Sequence, residues 1–218
     1  MNFSEARKNM VECQLRTNGI TNQKIVQAFM TIPREDYYPA HLASCAYLDE
    51  DVCIANDRWA LEPLVEARMM SAAQLAPTDV VLLVGASSMT LTAYLSQIVT
   101  TVIVIDEDAA LLDQAQAIAQ KHEIGNVAYI HSPMTQGYAE EAPYDVIILS
   151  GAVCEVPNTL FSQIVDGGRL ACIEKKHEKS QGDLKLYKKM GLSVSGSFLG
   201  NANTPFLKGF APTTEFEF

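Results

Sequence analysis

A glycine turn and an acidic residue are the part of this sequence that could do chemistry. Gly85 ends the apolar run 80–84, and Asp106 ends a second apolar run at 101–105. A glycine at such a turn lets the backbone approach a ligand closely, and the helix expected at 89–98 offers free N–H groups at its start. A carboxylate at the end of the next strand, about twenty residues on, can accept both hydroxyls of a ribose. Together they predict a nucleotide-type binding corner, although the turn G-A-S-S-M-T lacks the G-x-G-x-x-G fingerprint.

The other candidate groups leave alternatives open. Asp106 could instead cap the helix that follows it, and Ser87 and Ser88 are expected to cap the helix after the glycine turn. Glu155, after another apolar run, faces either the same crevice or a helix N-terminus, where an acid is favoured. His131 ends a strand at the same edge without an obvious Ser or Cys partner, which leaves a hydrolase triad unsupported. The remaining histidines have no metal-ligand spacing: His41, His122 and His177.

Short apolar runs alternate with helical patterns and predict an α/β fold. Strands are expected at 80–84, 101–105, 127–130, 145–150 and 169–173, and an antiparallel pair at 184–188 and 192–198. Helices are expected at 3–17, from 21 or 22 to Pro33, at 63–76, 89–98, 108–123 and 158–165. This alternation predicts a Rossmann-like, doubly wound, mostly parallel sheet with the second strand beside the first. We expect a single domain, with residues 1–76 as an N-terminal helical and loop cap and 77–218 as the core.

Composition narrows the function classes. Sixteen Lys and Arg against 26 Asp and Glu give a net charge of −10, which is unfavourable for binding nucleic acid or an anionic membrane. No apolar stretch approaches the roughly 18 residues of a membrane span, so a cytoplasmic protein is expected. The five cysteines are odd in number and lack C-x-x-C spacing, so most are expected to be core thiols without a disulfide or zinc site. The final E-F-E-F is expected to be an edge strand or an ordered end.

Two long stretches resemble one enzyme family. The opening A-R-K-N-M-V-E-C-Q-L-R-T-N-G, continuing to I-P-R-E-D-Y-Y-P, resembles the N-terminal region of protein-L-isoaspartate O-methyltransferases. The segment Y-D-V-I-I-L-S-G-A-V-C-E-V-P, with the later D-G-G-R-L, is similar to that family's fourth-strand region. The resemblance covers about 190 residues, as one domain of this class would. It implies a class I methyltransferase fold, S-adenosylmethionine as cofactor, and methyl transfer to isoaspartyl carboxylates in damaged protein.

The resemblance also implies which residues hold the cofactor. In the family, an acid and three glycines follow the pattern E-x-G-x-G-x-G, and here those four positions are Leu83, Gly85, Ser87 and Met89. The cofactor-binding residues implied are therefore Gly85, Ala86, Ser87, Asp106 and Glu107. Met89 is expected to project where the backbone would approach the cofactor's methionine moiety.

Two further family motifs have changed. The family's G-D-G after the third strand corresponds to Ser132-Pro133-Met134, and the serine of its I-S-x-P motif corresponds to Leu61. The stretch Asn56-Asp57-Arg58-Trp59 differs from the glycine-rich one expected. With Leu61 at the serine position, the catalytic residue is unknown.

Three functions are compatible with these residues. One is a carboxyl methyltransferase of the isoaspartyl family, for which Gly85 and Asp106 argue. Another is a non-catalytic binding or scaffold module on the same fold. The changed motif positions together argue for it: Leu61, Leu83, Ser87, Met89 and Ser132-Pro133-Met134. The third is a methyltransferase with a different acceptor.

Overall fold

The central sheet explains how residues distant in sequence reach one edge. The structure is a computed structural model and describes residues 2–55 and 57–212. Its strands are β1 (Val52–Ala55), β2 (Arg58–Ala60), β3 (Val80–Val84), β4 (Thr101–Asp106), β5 (Val127–His131), β6 (Tyr144–Val153), β7 (Ile164–Glu174), β8 (Asp183–Met190) and β9 (Ser193–Asn201). Its α-helices are α1 (Phe3–Asn9), α2 (Gln23–Thr31), α3 (Pro63–Ala73), α4 (Met89–Ser96), α5 (Ala109–Lys121) and α6 (Asn158–Ser162).

Strand order confirms the predicted doubly wound fold. In the described residues, seven strands form one sheet in the order β5-β4-β3-β6-β7-β8-β9, and β1 and β2 form a separate hairpin. The pairs among β3 to β7 are parallel, whereas β8 and β9 pair antiparallel, as the sequence pattern predicts. Parallel strands end at one edge, so the residues after β3, β4 and β6 meet there.

Apolar side chains of β3 pack on both faces of the sheet. Val81 and Leu83 belong to one buried cluster, which also contains the N-terminal helices, while Leu82 and Val84 belong to a second. A strand buried on both faces reads as a continuous apolar run, which is why β3 is readable from sequence.

The N-terminal segment changes helix type along its length. α1 continues into a π-helical stretch (Met10–Leu15) and a 3-10 turn (Arg16–Asn18), and Gly19 ends it in a left-handed conformation. The predicted helix 3–17 is therefore one continuous helical segment with three hydrogen-bonding patterns. Asn22 caps α2 by accepting the N–H groups of Lys24 and Ile25. The stretch after Pro33 contains two 3-10 helices, Arg34–Tyr37 and Ala40–Cys45.

Two local predictions are wrong. Most cysteines are not core thiols: Cys172 is buried, whereas Cys13, Cys53 and Cys154 are exposed and Cys45 is intermediate. Ser88 occupies the N-cap position of α4 without a side-chain capping bond, because its hydroxyl accepts the N–H of Leu61 instead. The predicted edge strand at E-F-E-F lies outside the described residues. Among the helices that the structure describes, none has the length and apolar character needed to cross a membrane.

Candidate functional site

Gly85 and Asp106 lie side by side at the carboxyl edge of the sheet. β3 and β4 pair in register, and the N–H of Gly85 donates to the carbonyl of Ile105 at 2.9 Å. Gly85 has φ +96°, a conformation that favours glycine. The next N–H, that of Ala86, donates to Oδ2 of Asp106 at 2.9 Å. We call these three residues, Gly85, Ala86 and Asp106, the corner.

The carboxylate of Asp106 is already bound within the protein. Arg58, on β2, places Nη2 2.7 Å from Oδ1 of Asp106, and both side chains are almost fully buried. Oδ1 also accepts the N–H of Asp108 at 3.0 Å. The N-cap of α5 is Asp108, which accepts the N–H of Leu111, so the alternative that Asp106 caps this helix is wrong.

The remaining predicted residues separate into buried and exposed groups. Ser87 is buried beside the corner, whereas Glu107 is exposed and accepts the N–H of Met134 at 3.3 Å. His131 is also exposed, and its Nε2 lies 3.0 Å from the carbonyl oxygen of Glu107. Glu155 is exposed between β6 and α6.

Met89, expected to project where the backbone would approach the cofactor's methionine moiety, packs in the core in this structure. Its side chain is buried in the same cluster as the N-terminal helices and lines an apolar cavity of about 340 Å³. Tyr37 and Tyr38 of the cap and Leu111 of α5 line the same cavity. The long apolar side chain gains more by packing there than by facing the polar edge of the sheet.

A stretch after β9 covers the crevice between β3 and β6. We call residues 204–210 the closing segment. Ala152 donates its N–H to the carbonyl of Pro205 at 2.9 Å and accepts the N–H of Leu207 at 2.8 Å. The Nζ of Lys175 lies 4.7 Å from the ring centroid of Phe206, a cation–π contact that holds the segment from the side.

Little space remains in this crevice. The cavity lined by Arg58, Ser87, Ser150, Gly151 and Leu207, among others, has a volume of about 10 Å³. That volume is room for about one water molecule.

The closing segment explains why position 85 tolerates no side chain. A Cβ at Gly85 would lie 2.4 Å from Oγ of Ser150 and 2.8 Å from Cδ1 of Leu207. Oγ of Ser150 in turn lies 2.9 and 2.8 Å from the carbonyl oxygens of Val84 and Gly85. The turn, β6 and the closing segment are therefore packed against one another at this glycine.

We expect Gly85→Ala to lower the free energy of unfolding more than Gly191→Ala. Both glycines have positive φ, so both variants incur roughly 1–2 kcal/mol for a left-handed alanine. A Cβ at Gly191 meets nothing within 4 Å, whereas one at Gly85 also displaces Leu207 and Ser150. Urea denaturation of the two variants measures the difference, and equal losses would contradict the packing described.

A buried arginine fixes the segment around Leu61. Arg34 is fully buried and forms an ion pair with Glu66 of α3. The same guanidinium donates to Oγ1 of Thr90 on α4 at 3.0 Å and to the carbonyl of Leu61. Leu61 is fully buried, with its N–H bound to Ser88 and its carbonyl to Arg34. We call Arg34, Glu66 and Thr90 the arginine cluster. It joins the segment after α2 to α3 and α4.

Glu62, which follows Leu61 in the chain, has a raised pKa. Burial, together with the nearby carboxylates of Asp51 and Asp49, raises the pKa of Glu62 to about 7. Burial also raises the pKa of Asp51, which accepts the N–H of Glu62 at 2.8 Å. Near neutral pH, Glu62 therefore binds and releases a proton next to the buried Leu61.

We expect Glu62→Gln to change how stability depends on pH. Because the folded-state pKa of Glu62 is above its ordinary value of 4.5, the folded protein binds the proton more tightly, and stability falls as pH rises from about 4.5 to 7. In Glu62→Gln this loss of stability is absent, so the free energy of unfolding of the variant rises relative to that of wild type as pH increases from about 4.5 to 7. Denaturation curves at pH 4.5, 5.5, 6.5 and 7.5 test this. Glu50→Gln, at an exposed position, is the control. Curves for Glu62→Gln that run parallel to wild type would contradict the assignment.

Sequence reasoning missed two residues of this site. Arg58 stands out in the sequence only as a departure from a glycine-rich stretch, and Leu207 carries no signal at all. An arginine in a mostly apolar hairpin, R-W-A, is a signal for a buried ion pair, since buried arginines are almost always paired.

The sequence matches one known protein family along most of its length. The family model for protein-L-isoaspartate(D-aspartate) O-methyltransferase matches residues 5–200. The protein-L-isoaspartate O-methyltransferase of Roseiflexus castenholzii is 37% identical over 170 residues, covering 78% of each chain. That of Koribacter versatilis is 34% identical over 168 residues, covering 77% of this chain and 76% of its own.

Solved structures show the same fold. One protein-L-isoaspartate O-methyltransferase superposes with a TM-score of 0.80 at 24% identity, covering 94% of this chain and 67% of its own. A second solved structure is that of a putative protein-L-isoaspartate O-methyltransferase from Plasmodium falciparum, in complex with S-adenosyl-L-homocysteine. It superposes with a TM-score of 0.77 at 18% identity, covering 95% of this chain and 99% of its own. With a family model matching most of its length and relatives above 30% identity, the chain belongs to the protein-L-isoaspartate O-methyltransferase family.

Proposed function

We propose that this chain transfers a methyl group from S-adenosylmethionine to the free carboxylate of isoaspartyl residues in damaged proteins. The observation that carries the proposal is the corner, in which Gly85, the N–H of Ala86 and Asp106 are held together at the carboxyl edge of the sheet. This is the edge at which α/β folds bind nucleotide ligands. The family to which the chain belongs supplies the reaction and the cofactor class.

A protein substrate and a cytoplasmic location belong to the same proposal. The net charge of −10 disfavours nucleic acid and anionic lipid as partners. An isoaspartyl site in a protein carries one small carboxylate, which does not require a strongly basic surface.

The crevice in the conformation described does not fit the cofactor. The space of about 10 Å³ is far below the roughly 300–1,000 Å³ typical of ligand pockets. Asp106 has its bonding partners within the protein, and Leu207 packs against the glycine turn. The proposed function therefore needs a more open arrangement of Arg58 and the closing segment.

The buried pair of Arg58 and Asp106 also favours a second candidate function, a non-catalytic binding or scaffold module. An arginine that permanently satisfies the acid would leave the fold intact without a cofactor. In that case the chain would bind neither S-adenosylmethionine nor S-adenosylhomocysteine.

Methyl transfer from labelled S-adenosylmethionine to an isoaspartyl peptide tests the proposal. The matched control is the same peptide with an ordinary aspartyl residue. We expect label in the isoaspartyl peptide alone, and absence of label at millimolar cofactor would contradict the proposed function. Label in other carboxylates, with the isoaspartyl peptide unmodified, would identify a different acceptor. Calorimetric titration with S-adenosylmethionine and with S-adenosylhomocysteine decides between the enzyme and the non-catalytic module, because the module would bind neither.

A further inference from the structure

We infer that Arg58 is an internal occupant of the corner, and that a nucleoside ligand binds only after Arg58 has left Asp106. The inference rests on the proposed function, since it concerns how the same site opens. It explains how a chain of this family can hold its ribose-binding acid in place and yet present no space for the ligand.

The bonds to Asp106 show which partner can be exchanged. Within residues 2–55 and 57–212, three donors reach the carboxylate: the N–H groups of Ala86 and Asp108, and Nη2 of Arg58. The two N–H groups belong to the backbone that builds the edge of the sheet, so they remain whether or not a ligand is present. Arg58 is a side chain from a separate hairpin, and it is the donor that ligand hydroxyls would replace.

Asp106 remains prepared for a ligand when Arg58 is removed. The two backbone donors fix its position and favour its ionised form, since hydrogen bonds to a carboxylate stabilise the charge. The acid therefore keeps the geometry and charge needed to accept hydroxyl groups.

The element that carries Arg58 can move more readily than the sheet. β1 has four residues and β2 has three, and among the described residues they pair only with each other. A two-stranded hairpin of this kind has little stability of its own. In the described part of the chain, Arg58 reaches Asp106 through Nη2 alone, a weaker contact than a two-bond fork.

The closing segment limits the crevice on the opposite side. Leu207 and Arg58 line the same remaining space of about 10 Å³. When Arg58 leaves Asp106, the cavity next to Leu207 becomes larger. The closing segment, which is short and held by hydrogen bonds, can then shift outward.

Titration of S-adenosylhomocysteine into three forms of the full chain tests the inference. These are wild type, Arg58→Ala and Arg169→Ala. Arg169 forms a largely buried ion pair with Asp79, with 2.6 Å between Nη2 and Oδ2. Asp79 comes just before β3, so this pair lies at the opposite edge of the sheet from Asp106. Arg169→Ala is therefore the matched control, because it also removes an arginine from a buried pair. We expect Arg58→Ala to bind at least tenfold more tightly than wild type, a difference of about 1.4 kcal/mol, and Arg169→Ala to bind like wild type.

A second variant and a second measurement cover a folding defect in Arg58→Ala. Arg58→Met keeps the apolar stem and removes the charge, and thermal unfolding shows whether each variant is folded. In wild type, saturating S-adenosylhomocysteine is expected to speed amide exchange in residues 58–60, because the hairpin loses its bond to Asp106.

The outcomes separate the inference from the proposed function. Equal affinity of wild type and the folded Arg58 variants, or unchanged exchange in 58–60, overturns the inference and leaves the proposed function standing. Absence of binding in all forms, with the Arg58 variants folded, overturns both. Equal tightening in Arg58→Ala and Arg169→Ala shows general loosening and also overturns the inference.

Discussion

Arg34→Ala lowers the free energy of unfolding by about 3–5 kcal/mol, the largest loss that we expect from any single truncation in the cap. The ion pair between Arg34 and Glu66 is fully buried, so removal of the guanidinium leaves a carboxylate uncompensated in the interior. The carbonyls of Ala46 and Leu61 lose their donors at the same time. An unsatisfied buried acceptor costs roughly 1–3 kcal/mol, so these two carbonyls place the total loss at or above the upper end of the range of about 3–5 kcal/mol.

Guanidinium denaturation at pH 7 measures this loss. Arg16→Ala is the matched control, because Arg16 pairs with Glu12 at 3.3 Å on an exposed surface, where such pairs contribute about 0–1 kcal/mol. A free energy of unfolding for Arg34→Ala within about 1 kcal/mol of the control would show that the arginine cluster does not hold the segment after α2 against α3 and α4.

We expect Leu83→Glu to lower the free energy of unfolding by about 3–5 kcal/mol at pH 7. Leu83 is fully buried in β3 and packs in the cluster shared with the N-terminal helices. A carboxylate placed there loses its hydration without gaining a charged partner. Its pKa in the folded state is expected to rise, so the deficit grows as pH increases from about 5 to 8.

Leu83→Met is the control, since a swap of similar volume in a core usually costs less than about 1.5 kcal/mol. Chemical denaturation of both variants at pH 5 and pH 8 gives the comparison. If Leu83→Glu were as stable as Leu83→Met at pH 8, position 83 would have a polar surrounding, and the packing assigned to β3 would be wrong. If it also bound S-adenosylhomocysteine more tightly than wild type, the acid would belong to the cofactor site.

The fold was readable from sequence wherever one physical pattern dominated. The runs 80–84 in β3 and 102–105 in β4 are apolar because both faces of these strands are covered, and α5 follows its capping residue, Asp108. The cysteines and the cap of α4 were not readable. A thiol is small enough to lie at the surface or inside, so Cys13 and Cys154 carry no positional signal. The hydroxyl of Ser88 does not cap α4, because it accepts the N–H of Leu61, a residue 27 positions earlier in the chain.

The candidate site was readable only in the part that lies on neighbouring strands. Gly85 and Asp106 are each the residue after an apolar run, and parallel pairing brings such residues together. Arg58 reaches Asp106 across 48 residues and Leu207 reaches Gly85 from beyond the sheet, so neither contact follows from a local pattern. The direction of Met89 was also set by tertiary packing, in this case against Tyr37 and Leu111.

The position of β3 at the centre of the sheet has a consequence for folding kinetics. Its second neighbour, β6, joins it across 65 residues, as the bond between Val80 and Asp145 shows. Arg169 returns to Asp79 across 90 residues. Chain entropy must be lost over such loops before their contacts form, and sheets made from distant pairs fold in milliseconds to seconds rather than microseconds. The apolar β3 therefore stays unpaired on one side early in folding, which makes refolding yield dependent on protein concentration.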